Sequence, residues 1–180
     1  MTIGGFTVLF QDKPFEEALD RIVAAGISAV EIGAGGYPGT HHCPTDELLA
    51  SEAKRKAWLR AIESRGLVVS GLDCQSEPLS PDAAVAKKAD EDFRKTVKLA
   101  ALLGVPVVNV LSGLPAGAPG DKSPSWVTCP WPPHNLAIID YQWNKVGIPY
   151  WRSAGAFADQ HGVKIAMEMH PGFLVYNVES

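Results

Sequence analysis

The chain has 180 residues, of which 46% are hydrophobic, 20% charged and 8% aromatic, the balance of one ordinary globular domain with a sizeable core. Sixteen Lys and Arg against twenty Asp and Glu leave a formal charge of -4, the wrong sign for a domain whose affinity comes from neutralising phosphates, so no nucleic acid partner is expected. No apolar run approaches the roughly 18 residues of a membrane helix and the first residues lack a secretory leader, so no membrane partner is expected and a cytoplasmic location is the default.

In chain order, a strand is expected at about residues 3–9, followed by a helix whose inner face is Phe15, Leu19, Ile22 and Val23. Gly26 then stops the helix and a β-rich run follows at 27–32. The same helix, glycine, strand pattern recurs three times: Gly66 before 67–73, Gly104 before 105–111 and Gly162 before 163–169. The second helix presents Ala53, Ala57, Ala61 and Ile62; the third presents Ala86, Ala89, Phe93, Val97 and Ala100, with Ser80 as its cap and Pro81 in its first turn. The fourth presents Trp151, Ala154, Ala158 and His161. Cys43, Cys74 and Cys129 are odd in number and form no Cys-x-x-Cys pair, so they read as free thiols in a reducing compartment.

Five strands alternating with four helices imply a parallel sheet, either open and doubly wound or closed as a barrel. A dinucleotide-binding open sheet wants Gly-x-Gly-x-x-Gly between a strand and an immediate helix. The nearest match, Gly33-Ala34-Gly35-Gly36-Tyr37-Pro38, ends in proline and the next helix waits until about Asp46. The fourth unit is longer than the others by about 19 residues. The surplus lies in a Pro- and Trp-rich loop insertion at about 112–145, carrying Trp126 and Trp131. In a barrel it follows the fourth strand on the face where active sites are built, and it reads equally as a pocket wall or a surface excursion.

Alternation along each strand separates an apolar face from a polar one. Val30 and Ile32 leave Glu31 on the other side; Val68 and Leu72 leave Asp73; Val108 and Val110 leave Asn109; Ile165, Met167 and Met169 leave Ala166, Glu168 and His170. Several oxygens and an imidazole converging on one barrel mouth suit a divalent cation and a polyhydroxylated ligand, whereas a lone buried carboxylate would be costly. Glu31 and Asp73 read equally as structural acceptors for backbone N–H groups. His42, in the loop after the second strand, is a further candidate contact.

The run Val163-Lys164-Ile165-Ala166-Met167-Glu168-Met169-His170-Pro171-Gly172, with Ala29-Val30-Glu31-Ile32-Gly33 and Tyr37-Pro38-Gly39-Thr40-His41-His42-Cys43, resembles the sugar phosphate isomerase/epimerase branch of the xylose isomerase-like TIM-barrel superfamily. The resemblance implies a (β/α)8 barrel and a divalent metal, Mn, Mg, Co or Zn, held by Glu, Asp, His and Glu at the ends of strands five to eight. Of these only the first has a counterpart, Glu168, which would be metal ligand and acid/base. His170, Glu31, Asn109, Asp73 and His42 would contact a sugar or sugar phosphate, and Trp126 and Trp131 would cover it. Where relatives carry Gly-Asn-Pro-Leu-His-Pro after strand three, this chain has Ser76-Glu77-Pro78-Leu79-Ser80-Pro81, without the histidine.

At this pace eight strands need about 270 residues, so residues 1–180 read as one partial, incomplete barrel domain, a truncated form that is inactive alone. The resulting expectation is a metal-dependent sugar or sugar phosphate isomerase or epimerase. The rivals are a metal-dependent phosphodiester hydrolase like the abasic-site endonucleases, against which the acidic balance and sparse histidines argue, and a non-catalytic barrel fragment. Open edges on strands one and five would favour self-association.

Overall fold

A computed structural model describes residues 3–180. Five parallel strands pair in sequence order: β1 (Gly4–Phe6), β2 (Ala29–Gly33), β3 (Val68–Asp73), β4 (Val107–Leu111) and β5 (Lys164–Glu168). A doubly wound sheet reverses its strand order at a switch point, whereas this order never reverses, which is the behaviour of a barrel wall. The helices are α1 (Phe15–Ala24), α2 (Thr45–Ala50), α3 (Glu52–Glu63), α4 (Ala83–Leu103), α5 (His134–Asp140) and α6 (Ile148–Gln160). None of the described helices is long and apolar enough to cross a membrane.

The core lies between helices and sheet. Leu19 and Ile22 of α1, Ile62 of α3, Phe93 and Val97 of α4, and Ala154 and Ala158 of α6 meet Val30, Ile32, Leu72, Val108 and Val110. Each fully buried Leu, Ile or Val side chain there contributes roughly 1.5–3 kcal/mol. The opposite face of the sheet carries the polar residues and is partly open: Val68 is 59% exposed, and Ala166 and Glu168 are exposed. Gly26, Gly66, Gly104 and Gly162 all hold positive φ, between 68° and 77°, as the helix-stop pattern requires.

Several sequence expectations are corrected. The first strand ends at Phe6, because Thr7–Phe10 turns into a 3-10 helix. The second helical stretch is broken at Ser51, whose Oγ accepts from the Lys54 N–H and caps α3. Its Ala53 and Ala57 are exposed, and Trp58 and Ile62 form the buried face instead. Trp58 stacks on Phe15 with ring centroids 5.7 Å apart and donates its indole N–H to the His42 carbonyl at 2.8 Å. Asp82, not Ser80, caps α4, accepting from the Ala84 and Val85 N–H groups; Ser80 Oγ accepts from the Asp82 N–H one step earlier. The excursion after β4 is irregular only as far as Pro133. From His134 the chain is helical through a π-helical stretch, Tyr141–Gly147, into α6, so the described residues form six α-helices where four were expected. Gln142, buried in the π stretch, ties the excursion down by donating to the Pro115, Ala116 and Ser125 carbonyls.

Val68 is the most instructive correction. Val30 pairs with Val69 but Glu31 pairs with Gly71, so Ser70 is an extra residue, a bulge in β3. It reverses inside and outside across the strand, leaving Val68 off the face that Leu72 shares with the core. Ser70 Oγ donates to the Val30 carbonyl at 3.0 Å and secures the bulge.

Beyond the strand ends the loops after β2 and β3 come into backbone contact. The Tyr37 N–H donates to the Gln75 carbonyl at 2.7 Å. Gly36, at φ +63°, lies so close that an added Cβ would stand 2.0 Å from the Gln75 oxygen. Gly36→Ala is therefore expected to cost about 3 kcal/mol, through steric overlap and left-handed strain together. Gly26→Ala, at φ +77° with nothing within 4 Å, should cost only about 1 kcal/mol. Urea unfolding followed by tryptophan fluorescence compares the two; equal losses would contradict the close approach.

Candidate functional site

The pairing register arranges the polar strand-end residues in tiers. Glu31 lies level with Gly71. Gly33, Asp73, Asn109 and Ala166 form the next tier, and Leu111 and Glu168 the one above. Gly71 leaves room for its neighbour, since a Cβ there would meet the Asn109 side-chain amide at 3.3 Å. Two of the expected residues, Glu31 and Glu168, lie near enough to a third, Asp73, to raise its carboxyl.

Asp73 is wholly buried. Its Oδ1 accepts the Gln75 backbone N–H at 3.1 Å, and its Oδ2 has no hydrogen-bond donor. Burial first, then the neighbouring Glu31 carboxyl, push the Asp73 carboxyl up to about 8.

Glu168, exposed at the end of β5, accepts a hydrogen bond through Oε2 from the Gln75 side-chain amide. Gln75 was not anticipated, although its place two residues past Asp73, at a strand end, was a usable signal. Glu77 was also missed as a structural element. Its carboxylate accepts from the Leu114 N–H at 3.0 Å and the Tyr37 hydroxyl at 3.2 Å, joining the loops after β2, β3 and β4. Burial raises the Glu77 carboxyl, and burial with the Glu77 charge pushes the Tyr37 hydroxyl up to about 12.

Other expected residues stand apart from this cluster. His42 is 4% exposed, with Nε2 at 3.0 Å from the Lys13 carbonyl and its ring against Phe15, so its contacts lie under the β2 loop. His170 Nδ1 lies 2.7 Å from the Pro171 carbonyl and its ring is edge-on to Phe173, so its contacts are with its own turn. Trp126 is 47% exposed and edge-on to Tyr176; Trp131 is 73% exposed, its carbonyl accepting from Asn135. Cys43 and Cys74 are buried free thiols, each pushed up to about 12 by burial.

A separate cavity of about 540 Å³ lies between the glycine run and α4, lined by Gly35, Gly36, Thr45, Asp46, Lys88 and Lys95 among others. Its lysines are already paired, Lys95 with Asp46 at 2.7 Å and Lys88 with Asp92. The glycine run packs rather than cradles: a Cβ on Gly35 would sit 3.0 Å from Cys74 Sγ.

Among the described residues no three His, Cys, Asp or Glu side chains are grouped to hold a metal ion. The oxygens at the strand ends are of the hard type that Mg or Mn prefers, but Asp73 is wholly buried and Glu168 is the exposed carboxylate of the cluster. The described residues therefore do not form a complete metal site.

A family model described as xylose isomerase-like TIM barrel matches residues 19–180. The chain is 42% identical over 170 residues to an uncharacterized protein, YfiH, of Bacillus subtilis (strain 168), covering 93% of this chain and 54% of that protein. It spans about half the length of that curated relative. Among solved structures it is similar to a D-tagatose 3-epimerase-like protein, with a TM-score of 0.61, 19% identity, and 96% of this chain and 54% of that one covered. It is likewise similar to the IolI protein with a bound zinc atom, with a TM-score of 0.61, 14% identity, and coverage of 97% and 54%. At these identities the two structures establish the fold.

The buried Asp73 carboxyl predicts a pH dependence of stability. Asp73 titrates near 8 when folded and near 3.9 when unfolded, so the folded state holds the extra proton between these values. Its contribution is complete below about pH 4 and is lost as pH rises through about 8. Urea midpoints should fall between pH 5 and 8.5, and Asp73→Asn, which mimics the protonated group, should flatten the decline. An unchanged slope in that variant would remove Asp73 as its source.

Proposed function

The chain belongs to the xylose isomerase-like TIM-barrel family, and from that premise we propose that it serves as a metal-dependent isomerase or epimerase of sugars or sugar phosphates. The observation that carries this reading is the tiered cluster of Glu31, Asp73, Asn109 and Glu168 at the C-terminal ends of adjacent parallel strands, the face on which barrels of this class build their sites. Similarity to the D-tagatose 3-epimerase-like structure and to zinc-bound IolI supports it.

In this reading Glu168 takes the proton from the carbon beside the substrate carbonyl, since it is the acid most open to the mouth. The Glu31 carboxyl accepts from a substrate hydroxyl at the floor, with the buried Asp73 beside it. The Asn109 amide, lying across Gly71, contacts an adjacent oxygen. His170 meets an overhanging hydroxyl, and Trp126 and Trp131 form part of the wall. When bound, a divalent metal supplies Lewis-acid stabilisation of negative charge on adjacent substrate oxygens. Glu168 contributes one of its ligands and residues outside the 180 contribute the others. A cytoplasmic location accompanies this reading.

The test is hydrogen exchange into candidate sugars. Ketoses and their phosphates incubated with Mn and a form of the protein carrying a complete barrel should take up deuterium beside the carbonyl in deuterium oxide. Glu168→Gln should slow that uptake by at least about 100-fold. Wild-type rates in this variant would take Glu168 out of the chemistry, and no uptake from any ketose, aldose or phosphate ester would overturn the reading.

The same architecture bears on assembly. Among the described residues strands β1 and β5 each pair on one side only, and Ala166 on β5 is exposed. We expect the 180-residue chain to self-associate through these edges. Light scattering at micromolar concentrations should give a mass above that of one chain, and a strict monomer with a sharp melt would contradict it.

A further inference from the structure

We propose that Gln75 is a positioning residue: its side-chain amide holds the Glu168 carboxylate by Oε2 and leaves Oε1 to face the ligand. The inference rests on the reading of Glu168 as the acting carboxylate, and it adds a residue that neither the family match nor the strand pattern assigns.

The case begins with how firmly Gln75 is held. Its N–H is bound by the buried Asp73 carboxyl at 3.1 Å and its carbonyl by the Tyr37 N–H at 2.7 Å. The residue before it, Cys74, donates its N–H to the Asn109 carbonyl at 2.9 Å, and Asp73 accepts the Ala34 N–H at 2.8 Å. Hydrogen bonds from the loops after β2 and from β4 thus continue the ladder past the end of β3 on both sides. Gly36 closes the remaining side, with room for no side chain between it and the Gln75 carbonyl. A loop residue fixed at both backbone groups has little freedom left except in its side chain.

That side chain reaches across β4, which lies between β3 and β5 in the sheet, to the last residue of β5, 93 positions later. Glu168 is exposed, and an exposed glutamate on its own samples several rotamers, so fixing it on a ligand costs side-chain entropy. An amide donor anchored to the scaffold removes that freedom before a ligand arrives. Glutamine suits the task because it is neutral: it donates to a carboxylate without pairing a full positive charge to it, so the charge on the carboxylate is retained for the ligand. Groups that orient a metal- or proton-handling carboxylate in this way typically change affinity by 10–100-fold when removed.

Two measurements test the proposal on the 180-residue chain. In the first, the Gln75 side-chain NH₂ signals of 15N-labelled protein are compared with those of Glu168→Ala. They should shift and lose protection from exchange in the variant, while the Tyr37 and Cys74 amides stay in place; unmoved Gln75 side-chain signals would overturn the proposal. In the second, Mn is titrated alone by electron paramagnetic resonance against wild type, Glu168→Gln and Gln75→Met. The last keeps the length of the side chain and removes its donor, and its fold is checked by near-UV circular dichroism. Binding should weaken by about 10-fold in Gln75→Met. Loss in Glu168→Gln with wild-type affinity in Gln75→Met would overturn the role of Gln75 and leave that of Glu168 intact. Equal affinity in wild type and Glu168→Gln would instead remove Glu168 as a ligand, and the amide signals then decide the Gln75 contact alone.

Discussion

The strand-end site depends on one backbone contact, the approach of the loop after β2 to the loop after β3 at Gly36 and Gln75. Parallel strands leave their connections free to diverge as soon as pairing ends, because each runs off toward its own helix. Here the two loops remain bonded for several residues beyond the sheet. The carboxyl of Asp73 is buried under that joint, its partner Glu31 is brought level with the floor, and the Glu77 carboxylate staples the third loop to the assembly through Leu114. A joint that admits no side chain at one residue cannot be made by a generic loop, and this is where local chemistry constrains the whole mouth.

Much of the scaffold was legible in the sequence because it rests on local rules. The four glycine stops, the strand following each of them and most of the inner faces of the first and third helices follow from periodicity and left-handed glycine alone, although Val23 of the first is 40% exposed. The faults arose where tertiary contacts overrode those rules. Ala53 and Ala57 have the right spacing but are exposed, because the stacking of Trp58 on Phe15 turns that helix toward a larger aromatic contact. The helical run beginning at His134 was hidden by its prolines and tryptophans, and by a π stretch that shifts its periodicity. At the strand ends, alternation picks out Glu31, Asp73, Asn109 and Glu168, since a polar residue at an inward position is visible in one dimension. The contacts of Gln75 with Glu168 and of His42 with Lys13 were not visible, because each joins residues far apart in sequence.

The electrostatics of the mouth follow a consistent logic. Three acids lie near one another inside a sheet that supplies no basic side chain to them, and each is compensated differently. Asp73, wholly buried beside Glu31, has its carboxyl raised to about 8 by burial and by that neighbour. Glu168, nearer to solvent, takes a neutral amide.

The bulge at Ser70 gives this arrangement its direction. Without it β3 would run in phase with β2 along its whole length, and the residue that completes the floor would be the apolar Leu72 while Asp73 turned toward the helices. One additional residue acts as a half-turn in the strand, a phase correction made upstream so that the acid arrives on the correct side downstream. It also means that β3 has two frames of inside and outside joined at a single serine. The lower frame can vary to suit the closing of the barrel and the upper to suit what the barrel binds, so that the strand is mechanically continuous while its two halves answer to different demands.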